Sequence, residues 1–142
     1  PTDKEKCFTQ LEHAEAADAP PHTILRDPSG SRIITSDIKT GDIRYEIETD
    51  GGEVKFEKSG LIYGSTNEQR YVINDGSPCS AKAEYRAKFS FSRSNWCAST
   101  ESELIVTCDE EHFFLRGRIS AYEDDTKIFG KNWDIKIPRD VY

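Results

Sequence analysis

The stretch AKAEYRAKFSFSR, residues 81–93, decides how this chain folds. Ala81, Ala83, Tyr85, Ala87, Phe89 and Phe91 fall on one parity, and Lys82, Glu84, Arg86 and Lys88 on the other. A period of two sustained this long belongs to a strand with one buried and one wet side. The rhythm continues downstream. NWCASTESELIVTC (95–108) sets Trp96, Ala98, Leu104, Val106 and Cys108 on one parity, interrupted by Thr100 and Ser102. HFFLRGRISAYED (112–124) aligns Phe113, Leu115, Gly117, Ile119 and Ala121 opposite Arg116, Arg118 and Ser120. KIFGKNWDIKIP (127–138) brings Trp133, Ile135 and Ile137 into register against Asp134 and Lys136.

Upstream the same pattern is shorter and more broken. TILRD and SRIITSD are two strand candidates split by the turn signal PSG (28–30). GDIRYEIETD alternates Ile43, Tyr45 and Ile47 with Arg44, Glu46 and Glu48, and its DGG ending predicts a hairpin turn into EVKFEKS. GLIYGS and QRYVIND follow as further candidates. Breaks every eight to fourteen residues without a convincing helix predict an all-β antiparallel meander, forming a strongly curved sheet, a barrel or a sandwich. Residues 1–22 are Ala- and acid-rich and end in Pro20 and Pro21, which predicts an irregular N-terminal arm or linker before a β domain spanning 23–142. The expected core draws on Tyr85, Phe89, Phe91, Trp96, Leu104, Val106, Phe113, Leu115, Ile119, Phe129 and Trp133.

Composition narrows the function. At 142 residues the chain suits one domain, and its seven Phe, six Tyr and two Trp argue for a folded core despite 32% charged and only 35% hydrophobic residues. A formal charge of -7 disfavours nucleic acid and anionic membranes, both of which ask for a basic surface. No apolar run approaches a membrane span and no signal-peptide core stands in the sequence, so a soluble, cytoplasmic protein is the favoured expectation. Cys7, Cys79, Cys97 and Cys108 form no CxxC and no zinc pattern. Cys97 and Cys108 share one candidate strand, which if unbroken holds them beyond disulfide reach. Free thiols are the favoured reading, with disulfides the alternative.

No catalytic constellation emerges. There is no G-x-S-x-G nucleophile elbow, and YGSTN around Ser65 lacks the closing glycine. His13 and His22 belong to the arm and His112 to a turn. Glu101 and Glu103 stand on one side of a strand and read as a solvated face. Asp109, Glu110 and Glu111 lack EF-hand spacing and read as a hairpin tip. No catalytic, cofactor-binding or metal-ligating residues are assigned. Arg116 and Arg118 are candidates for an anion in a barrel interior, set against cross-strand pairing with glutamates. Arg139 and Asp140 follow Pro138, which ends a strand, and fit surface or interdomain salt bridges. With Trp133 they complete the candidate ligand or partner contacts.

The segment TCDEEHFFLRGRISAYEDDTKIFGKNWDIKIPRD (107–140) resembles the extreme C-terminal region of CocE/NonD-type α/β-hydrolases, relatives of the Xaa-Pro dipeptidyl-peptidases. The matching positions are Thr107 to Asp109, Ala121 to Asp124, Phe129, Trp133, Asp134 and Ile137 to Asp140. A weaker likeness extends back to about Thr23. The resemblance implies a non-catalytic accessory β domain that packs on a catalytic α/β-hydrolase domain, in the same chain or as a partner. The Ser-His-Asp triad of such enzymes precedes this tail, so no catalytic residue carries over and this chain by itself is not expected to be an enzyme. Two other readings stand beside it. One is an independent lipocalin-like barrel binding a small apolar ligand, suggested by small residues such as Ala83, Ala87 and Gly117 on long strands. The other is a structural or interaction protein of unrelated origin.

Overall fold

The computed structural model describes residues 17–139, and every regular element in them is a strand. The elements are β1 (His22–Arg26), β2 (Ser29–Asp37), β3 (Asp42–Phe56), β4 (Ile62–Asn74), β5 (Ser77–Arg93), β6 (Trp96–Cys108), β7 (His112–Glu123) and β8 (Thr126–Pro138). All pair antiparallel in a single sheet of order β1-β3-β4-β5-β6-β7-β8, with β2 also on β3. The predicted all-β meander is therefore the fold. Most of the predicted arm, residues 1–16, lies outside the described residues, and residues 17–21 carry no regular structure.

β1 and β2 share one edge of β3. β2 pairs with residues 42–50 of β3, and β1 pairs with residues 53–56. Between them Asp27 and Pro28 break the edge, because proline has no N–H to give to a ladder. The break is matched on β3, whose register shifts between Asp50 and Glu53. The DGG motif is thus not a hairpin turn but a bulge inside one fifteen-residue strand. Gly52 sits there at φ 73°, where a Cβ would collide with the Arg26 carbonyl oxygen and Pro28 nitrogen. Asp50 fastens the bulge by accepting from the Gly52 N–H at 2.8 Å and pairing with Arg26. Both contacts favour the ionised carboxylate, and the Arg26 bond is the larger cause of its lowered pKa.

Likewise GLIYGS and QRYVIND are two halves of one strand, β4. The tight connections explain the length of these strands. Ser94 and Asp124 take positive φ in the turns before β6 and β8, and Gly76 does so before β5. At the β6–β7 turn the Asp109 carboxylate accepts from the Glu111 and His112 backbone N–H groups at 2.8 and 2.6 Å. This is the predicted acidic hairpin tip, closed as an Asx turn.

The expected core is where sequence and structure part. Among the described residues Ala87, 5% exposed, is the only buried apolar side chain. Phe89, Trp96, Leu104, Phe113, Phe129 and Trp133 all remain exposed. The cause is architectural. A single sheet gathers its apolar residues on one face, but only a second layer can remove that face from water.

Candidate functional site

The strand register assigns each side chain to a face, because directly paired residues project to the same side. One row runs Tyr45, Tyr71, Ala83, Val106, Leu115 and Ile135 across β3 to β8. The next runs Ile47, Gln69, Tyr85, Leu104, Gly117 and Trp133. These rows belong to one apolar face. Tyr45 stacks on Tyr71 at 6.1 Å between centroids, and Tyr63 contacts Phe91 at 5.3 Å. At the end of the sheet that carries the β6–β7 turn, an open hollow of about 300 Å³ is lined by Ile43, Tyr45, Tyr71, Ile73, Val106 and Phe113 among others.

A chain of polar groups crosses this face. The Tyr71 hydroxyl donates to Gln69 Oε1 at 2.9 Å, Gln69 Nε2 to Asn67 Oδ1 at 3.3 Å, and Asn67 Nδ2 to the Tyr85 hydroxyl at 2.9 Å. The amides are thus satisfied within the chain and do not aim outward as unmet ligands.

The opposite face is a lattice of ion pairs. Arg70 meets Glu46 at 2.8 Å, Arg86 meets Glu103 at 3.0 Å, and Lys88 meets Glu101 at 3.4 Å. Lys82 binds Glu84 at 2.7 Å, the first cause of that carboxylate's lowered pKa. Exposed pairs of this kind contribute little each, about 0–1 kcal/mol, but they leave a face that water solvates well.

The predicted contact residues separate onto these surfaces. Arg116 and Arg118 lie on the charged face, where Arg116 approaches Asp134 at 3.9 Å and Arg118 approaches Glu103 at 3.4 Å. Both thus form cross-strand pairs, and among the described residues the sheet encloses no barrel interior, since neither β1, β2 nor β8 closes it. Trp133 lies on the apolar face, 38% exposed, with the Lys131 ammonium 5.1 Å from its ring centre. Arg139 turns back on its own chain: its N–H donates to the Glu111 carbonyl at 2.7 Å and its guanidinium to the Asp109 carbonyl at 3.3 Å. It also stacks over Phe113 at 5.5 Å. Asp140 lies outside the described residues. Cys79, Cys97 and Cys108 are free thiols.

Comparison with protein-family models, curated proteins and solved structures finds no significant match. The site's character therefore rests on its geometry. Ser65 sits within β4, opposite Phe89, rather than on a strand-to-helix elbow. No cluster of three or more metal-ligating side chains occurs among the described residues, and no helix there is long and apolar enough to cross a membrane. The apolar face, which no other element among the described residues covers, is the feature that calls for a function.

Sequence reading missed two residues of that face. Arg32 pairs with Ile47 and Lys131 with Ile119, so both cations project from the apolar side. The signal was present in their shared parity with Ile34 and with Trp133 and Ile135.

Proposed function

We propose that this chain is a non-catalytic β domain of a CocE/NonD-like serine hydrolase, acting by packing on the catalytic α/β-hydrolase domain. The observation that carries the reading is the exposed apolar face, on which Tyr71, Ile73, Leu104, Phe113, Trp133, Ile135 and Ile137 are each about two-fifths exposed. A sheet amphipathic over all its long strands is half of a two-layer domain. The terminal signature from Thr107 to Asp140 supports a hydrolase as the other half, and ester or amide hydrolysis as the parent activity. Trp133 is the contact residue in this reading. Arg116 and Arg118, engaged on the opposite face, are not.

The test is hydrogen exchange on the chain alone and combined with the α/β-hydrolase domain encoded in the same reading frame or transcript. Added protection is expected around Tyr71, Phe113 and Trp133, together with loss of dye binding by the apolar face. A complex that leaves these segments unprotected sinks the reading.

A further inference from the structure

We infer that the surface covering the apolar face is a different protein surface with an acidic rim, and that self-pairing of this face is blocked by its own cations. The inference rests on the packing role proposed above and adds the partner's chemistry. Its basis is the uneven placement of charge. The chain is acidic overall, with a formal charge of -7. Yet the register sends almost every strand carboxylate to the opposite face: Glu46, Glu48, Glu68, Glu84, Glu101 and Glu103 all lie there. Among the described strand residues the apolar face carries Arg32, Arg93 and Lys131, with Glu123 as its one carboxylate, at the end of β7.

Their positions are peripheral. Arg32 is on β2, at one edge of the sheet, and Lys131 is on β8, at the other. They stand almost level. Arg32 belongs to the row that crosses the sheet to Trp133, and Lys131 to the adjacent row. The eight strands lie in seven lanes, so at about 4.8 Å per lane and about 3.3 Å per residue the face offers on the order of 1,000 Å². A stable interface takes about 800 Å² from each partner, so area alone would permit a face-to-face dimer. Symmetry argues against it. A two-fold axis along the strands sets the β2 edge over the partner's β8 edge, which brings Arg32 over Lys131. A two-fold axis across the strands sets each edge over its own copy, with Arg32 facing Arg32 and Lys131 facing Lys131. Either way cation meets cation across sheets about 10 Å apart. A surface that is apolar at its centre and carries carboxylates at its perimeter meets no such penalty.

Sedimentation velocity on the full chain at low salt, with circular dichroism confirming folded sheet, separates these cases. The wild type should stay monomeric. Arg32→Glu and Lys131→Glu, each setting a new carboxylate over the remaining cation when the two-fold axis runs along the strands, should each self-associate through that arrangement at least about tenfold more tightly. The double reversal should return to the monomer, which a mere loss of positive charge would not produce. Arg32→Gln and Lys131→Gln should fall between. A tight wild-type dimer with Tyr71, Phe113 and Trp133 protected from exchange would overturn the inference, as would single and double reversals that behave alike.

A second arm uses the same hydrolase domain as probe. Arg32→Glu/Lys131→Glu should weaken its binding at least about tenfold at low salt, and Arg116→Glu on the charged face should not. A complex indifferent to both overturns the acidic rim alone. Absence of any complex with the wild type overturns the packing role itself, and the acidic rim assigned to that partner with it.

Discussion

The indole of Trp133 lies across Gly117, its cross-strand partner, so closely that a Cβ on Gly117 would stand 3.2 Å from Trp133 Cε3. The ring takes the space the glycine leaves, covering backbone that no side chain of its own protects. Because Trp133 stays 38% exposed, its truncation forfeits only part of a buried aromatic's worth. Trp133→Ala should cost about 1–2 kcal/mol, below the 3–5 typical of a buried ring. Gly117→Val should cost a similar amount by pushing the ring aside, about 1–2 kcal/mol. The double variant should lose less than the sum, since without the indole the valine has room. Urea melts of the four proteins check this, and strict additivity would mean that the ring does not rest on Gly117.

Gly52 should be the least replaceable glycine of the sheet. Its φ of 73° and its approach to Arg26 and Pro28 leave no room for a side chain. Gly52→Ala should cost on the order of 1–3 kcal/mol. Gly76 also has positive φ, but nothing lies within 4 Å of a Cβ there. Gly76→Ala should therefore cost only the conformational part, about 1 kcal/mol. Thermal melts of the pair compare crowding plus strain with strain alone.

Acid should unfold the domain through a small set of carboxylates. Asp109 is held below its ordinary value of 3.8, first by the Glu111 N–H and also by the His112 N–H and ring. Asp37 is lowered by the backbone N–H groups of Thr40 and Lys39. For each, the folded pKa lies below the unfolded one, so the stabilisation is complete above about pH 4 and lost as pH falls through the folded value. Asp109→Asn should melt lower than wild type at neutral pH. The gap should close as pH falls through the folded value, below which the carboxylate is protonated in both states. A gap independent of pH would show that the turn is held by shape and not by charge.

The isolated chain should not turn over p-nitrophenyl esters. Ser65 is in mid-strand and paired across to Phe89, so it lacks the exposed elbow that a nucleophile needs. Activity that is measurable and abolished by Ser65→Ala would contradict the accessory role.

Alternation by itself determined the fold class and which residues share a face. From residue 81 onward it also placed the strands closely, because antiparallel strands joined by turns of two or three residues are local structures. It failed at DGG, where glycines that suit a hairpin serve a bulge. Choosing between the two depends on the β1–β2 break on the neighbouring strand, which no local pattern reports. It also identified Trp133 as inward-facing but could not say that inward remains half wet. Parity gives a side chain's direction, whereas burial requires a second layer. Tertiary structure alone decided three further things: that Arg116 and Arg118 are paired, that Arg139 folds back onto the β6–β7 turn, and that Arg32 and Lys131 flank one apolar face. Each joins residues distant in sequence, and their proximity is fixed by strand order and register rather than by the residues themselves.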